Sequence, residues 1–331
     1  MDALPLSFVP MTLGPHHIKA KCDLSFIVPA YNESKTIEAT IIQIADEMAV
    51  LDRSFEILVV DDGSCDDTFH VAVKADVKAV VRVIRLSRNF GKENAISAGL
   101  EHCIGDAVFI LDADLQEPIS YMHEMLDLYD QGYEMIYAVR KDREDESKLK
   151  RFFVEIFYKM LRMGSDVNIP EDARDFRLMD RKVVDSILAL PERNRFMKGL
   201  FAWVGFRSIP IYINMKPRQF GRSKFGLKSL SKLALTALTS FTNLPLRIWA
   251  VIGTSLASLS LLYGSWILVK TLFTGADIPG FATLSVAIFF IGGVQLISLG
   301  TIGEYLARVF AEVKSRPLYI VAEEQKNTPS K

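Results

Sequence analysis

Two uncharged runs in the C-terminal third limit what this chain of 331 residues can fold into. Ile248–Val269 extends for 22 residues and Ile278–Gly303 for 26 residues, each without a charged side chain. Both exceed the roughly 20 residues that an α-helix needs to cross the hydrocarbon core of a bilayer. A buried helix of a soluble protein is the alternative for either run, but two runs in succession favour a pair of transmembrane helices over residues 245–307.

Basic residues flank the two runs and predict their orientation. Lys and Arg accumulate on the cytoplasmic side of membrane proteins, and here they precede the first run and follow the second. These bases are Arg218, Arg222, Lys224, Lys228, Lys232, Arg247, Arg308, Lys314 and Arg316. We expect a multi-pass protein of the cytoplasmic (inner) membrane, with both termini in the cytoplasm. Residues 308–331 are then a cytoplasmic tail, which is polar from Glu323 to Lys331.

The cysteines and the N-terminal residues agree with a cytoplasmic location. Cys22, Cys65 and Cys103 are odd in number and widely spaced, so reduced thiols are expected. Residues 1–21 lack the continuous apolar core of a signal peptide and are predicted to form a flexible leader. The formal net charge is −1, and no nucleic-acid partner is expected.

Residues 22–225 alternate between strand-like and helical patterns. Strand-like runs lie at 24–28, 56–60, 80–86, 108–111, 134–139, 175–179 and 208–213, and helical spacing is found at 37–51 and 92–103. Strands that alternate with helices indicate βαβ units, so we predict an α/β domain with a mostly parallel sheet. In such sheets ligands bind beyond the carboxyl ends of the strands, where several polar motifs of this chain fall.

Residues 147–163 combine an aromatic, apolar stripe at helical spacing with flanking Lys and Arg residues. This pattern is typical of an amphipathic helix that lies in the membrane interface. A helix packed on the sheet and a dimer interface are alternatives for the same pattern. A weaker stripe over residues 226–244 predicts a juxtamembrane interface helix, and these surfaces leave homo-oligomer formation open.

The run from Val108 to Gln116 is an apolar strand that ends in two carboxylates and an amide. In an extended chain alternate side chains share a face, so Asp112, Asp114 and Gln116 are expected to point the same way. Carboxylates this close repel each other unless a cation or a proton lies between them. Hard oxygen ligands suit Mg²⁺ or Mn²⁺, which complete their coordination shells with waters and substrate phosphates. The run therefore predicts a metal–diphosphate site.

Three further motifs follow predicted strands or precede predicted helices. PAYNE, residues 29–33, offers Tyr31 for stacking and Glu33 as an acceptor for a ribose or base donor. VDDGS, residues 60–64, offers a carboxylate for a nucleobase N–H, and RNFGK, residues 88–92, places bases beside a helix N-terminus that suits a diphosphate. Each motif alone is also compatible with an ordinary capping turn.

In this order and combination, the motifs PAYNE, VDDGS, RNFGK and DADLQ resemble those of the family 2 glycosyltransferases of GT-A fold. Within that family the chain is similar to the polyprenyl-phosphate glycosyltransferases, which include dolichol-phosphate mannose synthases and bactoprenol glucosyltransferases. The resemblance of the motifs covers residues 22–225, and the two-span C-terminal region matches the bactoprenol type.

The resemblance implies roles for individual residues. Asp112, Asp114 and Gln116 match the metal positions, and the catalytic residues would be Asp112, Asp114 and Arg177. The nucleotide-binding residues would be Pro29, Tyr31, Glu33, Asp62 and Lys92. The acceptor-binding residues would be Arg177, Arg195, Lys198, Arg218, Arg222, Ser223 and Lys224.

The resemblance also implies a reaction, which is inverting transfer of a hexose from a nucleotide-sugar to polyprenyl (undecaprenyl) phosphate at the cytoplasmic membrane face. UDP-glucose is the first choice of donor, and GDP-mannose and UDP-linked amino sugars stay open. A processive polysaccharide synthase is disfavoured, because the chain has two spans and no Q-x-x-R-W motif. The alternative from another class is a membrane-anchored, nucleotide-binding regulatory subunit without catalysis.

Overall fold

The computed structural model describes residues 22–51, 53–141, 170, 173–193, 195–215, 244–274 and 280–327. Several predictions lie outside these residues. They are the leader 1–21, the amphipathic helix 147–163, all but the last residue of the juxtamembrane helix 226–244, and the candidate acceptor residues Arg218, Arg222, Ser223 and Lys224.

The first half of the described chain alternates between strands and helices, as the sequence predicts. Its elements are β1 (Cys22–Ala30), α1 (Ile37–Met48), β2 (Phe55–Asp61), α2 (Thr68–Lys74), β3 (Val80–Leu86), α3 (Lys92–His102), β4 (Gly105–Ile110), α4 (Tyr121–Asp130) and β5 (Met135–Arg140). The second half contains β6 (Ala173–Asp180), α5 (Arg181–Leu188), α6 (Met197–Trp203), β7 (Ser208–Ile213), α7 (Leu244–Thr274), α8 (Phe281–Val313) and β8 (Val321–Asn327).

The eight strands form one sheet in the order β7-β5-β6-β4-β1-β2-β3-β8. β1 pairs in parallel with both β2 and β4, and β2 pairs in parallel with β3. β6 lies antiparallel between β4 and β5, and β8 lies antiparallel to β3 at the edge. The predicted α/β class with a mostly parallel sheet is therefore confirmed, although the sheet is mixed.

The sheet is covered by helices on both faces, because alternate side chains of its central strands point to opposite sides. Phe26 of β1 stacks on Phe109 of β4 on one face, together with buried side chains of α1, α2 and α4. Ile27, the next residue of β1, packs on the other face with α3, α5 and α6. A side chain at Gly99 of α3 would overlap that of Ile27, so glycine allows α3 to lie close to the strand. This packing sets the N-terminus of α3 at the carboxyl edge of the sheet.

Two long helices follow the sheet domain. α7 has Pro245 at its second residue, a position at the start of a helix where the missing N–H costs nothing. Within the described residues, the segment Phe290–Val313 of α8 is long and apolar enough to cross a membrane. No residue of this segment is buried inside the protein, whereas most residues of an interior helix of a soluble domain are.

The chain returns from α8 to the sheet and ends in β8. The backbone N–H of Arg193 donates to Glu312 of α8 at 2.9 Å, and the backbone N–H of Ser87 donates to the carbonyl of Ile320 at 2.9 Å. β8 is not predicted from the sequence. All residues of this strand but Asn327 are exposed, so the strand lacks the apolar face that a sequence pattern would reveal. Part of the predicted tail 308–331 is thus an edge strand of the sheet.

β8 is held by charge as well as by backbone pairing. Arg82 of β3 lies 2.8 Å from Glu324 of β8 and 3.1 Å from the buried Glu56 of β2. Glu56 also accepts from the hydroxyl of Ser25 at 2.7 Å and from the backbone N–H of Ile104 at 2.8 Å. The edge strand is therefore connected to a buried polar network at the centre of the sheet.

We predict that a chain truncated after Ile320 is less stable than one truncated after Asn327. Loss of β8 removes the backbone pairing to β3 and the Arg82–Glu324 ion pair, which should lower the melting temperature by about 4 °C or more. Circular dichroism of the two purified proteins in the same detergent measures the difference. Equal melting temperatures would show that β8 does not stabilise the sheet.

Candidate active site

A cavity of about 330 Å³ opens at the carboxyl ends of β1, β2 and β4, beside the N-terminus of α3. It is lined by Pro29, Ala30, Tyr31, Glu33, Asp62, Asn89, Gly91, Lys92, Ala95, Asp112, Ala113 and Asp114. All five residues predicted to bind the nucleotide and both carboxylates predicted to bind a metal line this one cavity. The structure thus brings together residues from four motifs that are separated by up to 85 positions.

The turn after β1 is attached to the turn after β2. The backbone N–H of Asn32, which has a positive φ of 52°, donates to the hydroxyl of Ser64 at 2.8 Å. The backbone N–H of Glu33 donates to the hydroxyl of Thr68 at 2.8 Å, and Cys65 donates its N–H to the Asn32 side chain at 2.9 Å. These bonds fix the segment that carries Tyr31 and Glu33 at the cavity wall.

Asp62 organises the loop before α3. Its two carboxylate oxygens accept the backbone N–H groups of Phe90 at 2.7 Å and Gly91 at 2.9 Å. Burial raises the pKa of Asp62 above its usual range, although these two bonds oppose the shift. Gly63 has a positive φ of 65°, and any side chain there would overlap the backbone of Arg88. The sequence motif indicates that Asp62 binds a nucleotide, but it does not indicate that Asp62 also binds the backbone of the loop before α3.

Lys92 lies between two carboxylates. Its ammonium is 2.5 Å from Asp112, which follows β4, and 2.5 Å from Asp175 of β6. A cation at the N-terminus of a helix interacts unfavourably with the helix dipole. The two carboxylates offset this interaction and so explain the position of Lys92 at the start of α3. Burial disfavours the charged ammonium, but Asp112 and Asp175 outweigh it and raise the pKa of Lys92.

Asp175 also belongs to the charged centre, although none of the four sequence motifs contains it. Burial alone would raise its pKa, but Lys92, Lys198 and Arg177 outweigh burial and hold that pKa well below the usual range. Asp175 reaches Lys92 because β6 is inserted antiparallel beside β4, with Arg177 opposite Ile110. This strand order is a long-range property that no local pattern reveals.

Two of the candidate acceptor residues that the structure describes, Arg177 and Lys198, interact with Asp175. Arg177 is buried, and its guanidinium carbon lies 3.6 Å from the centre of the Phe201 ring. Burial lowers the pKa of Arg177 to about 10 and also lowers that of Lys198, which interacts with Asp175. Arg195 donates to the carbonyls of Leu190 and Glu192 and thereby supports its own loop. An acceptor role stays a prediction for all three.

The predicted metal ligands do not all contribute in the same way. Asp112 and Asp114 line the cavity, whereas Gln116 donates its backbone N–H to Asp114 at 3.2 Å and does not line the cavity. Between them, Leu115 has a positive φ of 58°, which interrupts the extended chain that would align the three side chains. The described residues include no group of three or more His, Cys, Asp or Glu side chains with metal-site geometry.

Two glutamates, the buried Glu117 and the half-buried Glu93, border the charged centre. Glu117 lies 3.2 Å from Arg174, and Glu93 accepts the backbone N–H of Met197, the first residue of α6, at 2.9 Å. Burial, followed by the charge of Asp112 for Glu117 and of Asp175 for Glu93, raises the pKa of each to about 7. Neither glutamate is predicted from a motif, and only their positions directly after Lys92 and Gln116 could have suggested them.

Comparison with known proteins identifies the class. A model of glycosyl transferase family 2 matches residues 25–188, and full-length relatives at up to 45% identity are glycosyltransferases. The chain therefore belongs to glycosyl transferase family 2, and the resemblance read from its motifs is confirmed.

Particular relatives align over nearly the whole chain. An uncharacterized glycosyltransferase of Synechocystis is 45% identical over 91% of this chain and 95% of its own length. The bactoprenol glucosyl transferase of Shigella phage SfII is 41% identical over 92% of this chain and 99% of its own length. A solved structure, glucosyl-3-phosphoglycerate synthase from Mycobacterium tuberculosis with Mn²⁺ and UDP-glucose, has 19% identity, a TM-score of 0.43, and coverage of 67% of this chain and 79% of that one.

We predict that Glu93 makes the protein less stable as the pH rises. Glu93 has the ordinary pKa of a glutamate in the unfolded state and a pKa of about 7 in the folded state. At a pH between these two values, Glu93 is protonated in the folded protein and ionised in the unfolded protein. Stability from this source is complete below the unfolded pKa and is lost as the pH rises through about 7. Glu93→Gln keeps an acceptor for Met197 and should flatten the fall in melting temperature between pH 5 and pH 8.

Glu38→Gln is the matched control, because Glu38 is exposed and also lies in the first turn of a helix. It should retain the pH dependence of the native protein. If Glu93→Gln and Glu38→Gln give the same dependence, Glu93 is not the titrating group.

Proposed function

We propose that the protein transfers a hexose, with glucose from UDP-glucose as first choice, to polyprenyl phosphate at the cytoplasmic face of a membrane, with inversion at the anomeric carbon. The observation that carries the proposal is the single cavity lined by the PAYNE, VDDGS, RNFGK and DAD residues. It joins a pocket for a nucleotide to a charged centre made of Asp112, Lys92 and Asp175.

The choice of glucose and of a polyprenyl acceptor is supported by the relatives. Several are named bactoprenol glucosyl transferase, at 40–41% identity over at least 90% of this chain. Similarity at this level supports the same class of substrates and leaves GDP-mannose and UDP-linked amino sugars as alternative donors. The nucleotide would lie along Pro29, Tyr31 and Glu33, with Asp62 at the base.

Asp112 and Asp114 fit a divalent metal ion by the chemistry of their donor atoms. Mg²⁺ in proteins takes one or two carboxylates together with waters and substrate phosphates, so two carboxylates on one cavity wall suffice. Gln116 would contribute only through its side chain amide. When bound, Mg²⁺ or Mn²⁺ would neutralise negative charge on the diphosphate.

Lys92 would serve the leaving group. In the structure its ammonium is shared by Asp112 and Asp175, and a diphosphate entering the cavity offers it a further anionic partner. A fixed cation beside a developing negative charge is among the largest single contributions to catalysis. Lys198 and Arg177, which also interact with Asp175, would add positive charge suited to the phosphate of the acceptor.

The acceptor supplies its own nucleophile. A phosphate monoester has a second pKa near 6, so it is mostly a dianion at pH 7 and needs no strong base. Asp175 is correspondingly a poor base, because its cationic neighbours keep its pKa low. Its proposed task is to orient Lys92 and Lys198.

The membrane arrangement follows from α7 and α8. We propose that both cross the bilayer as a hairpin, with the sheet domain, the basic juxtamembrane residues and both termini in the cytoplasm. Phe290–Val313 meets the length and composition needed for one span. The uncharged run Ile248–Val269, which lies within α7, supports the other.

Transfer is tested with the purified full-length protein, polyprenyl phosphate and radiolabelled nucleotide-sugars in detergent or vesicles. We expect label from UDP-glucose in the lipid fraction, and less or none from GDP-mannose or UDP-N-acetylglucosamine. Binding of UDP-glucose without turnover would instead support the regulatory subunit. Transfer from another donor alone would overturn the choice of glucose.

We predict that Asp114→Ala abolishes this transfer, with a loss of at least about 100-fold, and leaves the fold intact. Asp106→Ala is the matched control, since Asp106 is exposed near the opposite end of β4 and should leave activity unchanged. Initial rates and melting temperatures are measured for both. Activity of Asp114→Ala, or activity of the native protein in excess EDTA, would refute the metal assignment.

A further inference from the structure

Glu117 contains a buried carboxylate oxygen without a partner. The residue is 6% exposed, its Oε1 accepts from Arg174 Nε at 3.2 Å, and no donor among the described residues reaches Oε2. An uncompensated buried acceptor destabilises the folded state, and a charged one does so more strongly, so folded proteins rarely keep one. Such an atom in a functional region points to a ligand.

Glu117 lies beside the charged centre and not in a remote part of the core. The charges of Asp112, Lys92 and Asp175 all act on its carboxylate, and Arg174 interacts with Asp112 and Asp175 as well as with Glu117. The positive φ of Leu115 turns the chain between Asp114 and Glu117. A residue other than glycine with a positive φ has a strained backbone, and backbone strain of this kind concentrates at functional sites.

We infer that Glu117 and Arg174 form a subsite for a hydroxyl group of the donor hexose, an inference that rests on the proposed function. The hexose is attached to the diphosphate, so it must lie next to the groups that hold that diphosphate. A carboxylate oxygen accepts an O–H donor in a short, strong bond. Arg174, held by the other oxygen of Glu117, keeps the carboxylate in place and carries N–H donors for a neighbouring hydroxyl.

The surroundings of Glu117 suit binding of a sugar hydroxyl better than binding of a metal ion. The described residues contain no three-carboxylate metal group, and Glu117 does not line the cavity wall that carries Asp112 and Asp114. The positive charge of Arg174, already paired with this carboxylate, also opposes a second cation there. Glu117 would therefore recognise the sugar, and a site built to bind a substrate hydroxyl strongly rejects analogues that lack it.

The test compares binding of UDP-glucose and of UDP to the full-length protein in detergent with Mn²⁺, by isothermal titration calorimetry. Glu117→Gln should weaken binding of UDP-glucose by about 10- to 100-fold, as expected for loss of a charged hydrogen bond, and change binding of UDP less than two-fold. Glu124→Gln, at an exposed position of α4, should change neither.

Deoxy donors test the same contact in the native protein, whether or not Glu117→Gln folds. One UDP-deoxyglucose isomer should bind the native protein about 10- to 100-fold more weakly than UDP-glucose, and Glu117→Gln should no longer distinguish the two. Equal loss of UDP and UDP-glucose binding would assign Glu117 to the diphosphate or metal, and unchanged binding would exclude it as a ligand. Both results overturn the inference, whereas native protein that binds no UDP-sugar refutes the proposed function itself.

Discussion

The ammonium of Lys92, held between Asp112 and Asp175, is the interaction on which the candidate site depends. It joins the start of α3 and the end of β4, which are consecutive elements, to β6, which comes much later in the chain. Without it two carboxylates would face each other across a partly buried gap, at a cost in electrostatic repulsion. Gly99 lets α3 approach β1, and Asp62 holds the loop before Lys92, so both place this ammonium.

Residues that follow strands could be assigned to the site from the sequence, because parallel strands bring their carboxyl ends to one edge. β3 and β7 begin and end at the predicted residues, and Tyr31, Asp62 and Asp112 meet at one cavity. Asp175 could not be assigned in this way, because its place depends on an antiparallel strand inserted between β4 and β5. β8 could not be predicted from the sequence either, since an exposed edge strand has no periodic pattern of apolar residues.

Individual residues also serve tasks that their motifs do not indicate. Asp62 has the position of a nucleotide ligand and also caps two backbone N–H groups of the next loop. Arg195 belongs to a basic segment, but its guanidinium binds carbonyls of its own loop. In both cases the motif identifies a charged residue near the functional region, while hydrogen-bond geometry decides which group the charge contacts.

The long helices and the sheet are connected at more than one place. Glu312 of α8 accepts the backbone N–H of Arg193, which lies in the loop that leads to α6. Met197, the first residue of α6, donates its backbone N–H to Glu93 of α3. The chain leaves α8 at Val313 and enters β8 at Val321, at the edge of the sheet beside β3. Under the proposed function, these contacts would relate the height of α8 in the bilayer to the position of Lys92.

The most direct test of the central claim is the rate of glucose transfer to polyprenyl phosphate by Lys92→Met and Lys92→Arg. If the cation at this position stabilises the leaving diphosphate, Lys92→Met should lower kcat by about 100-fold or more, and Lys92→Arg should retain a measurable part of it. A folded Lys92→Met protein that transfers glucose within a few-fold of the native rate would contradict the account.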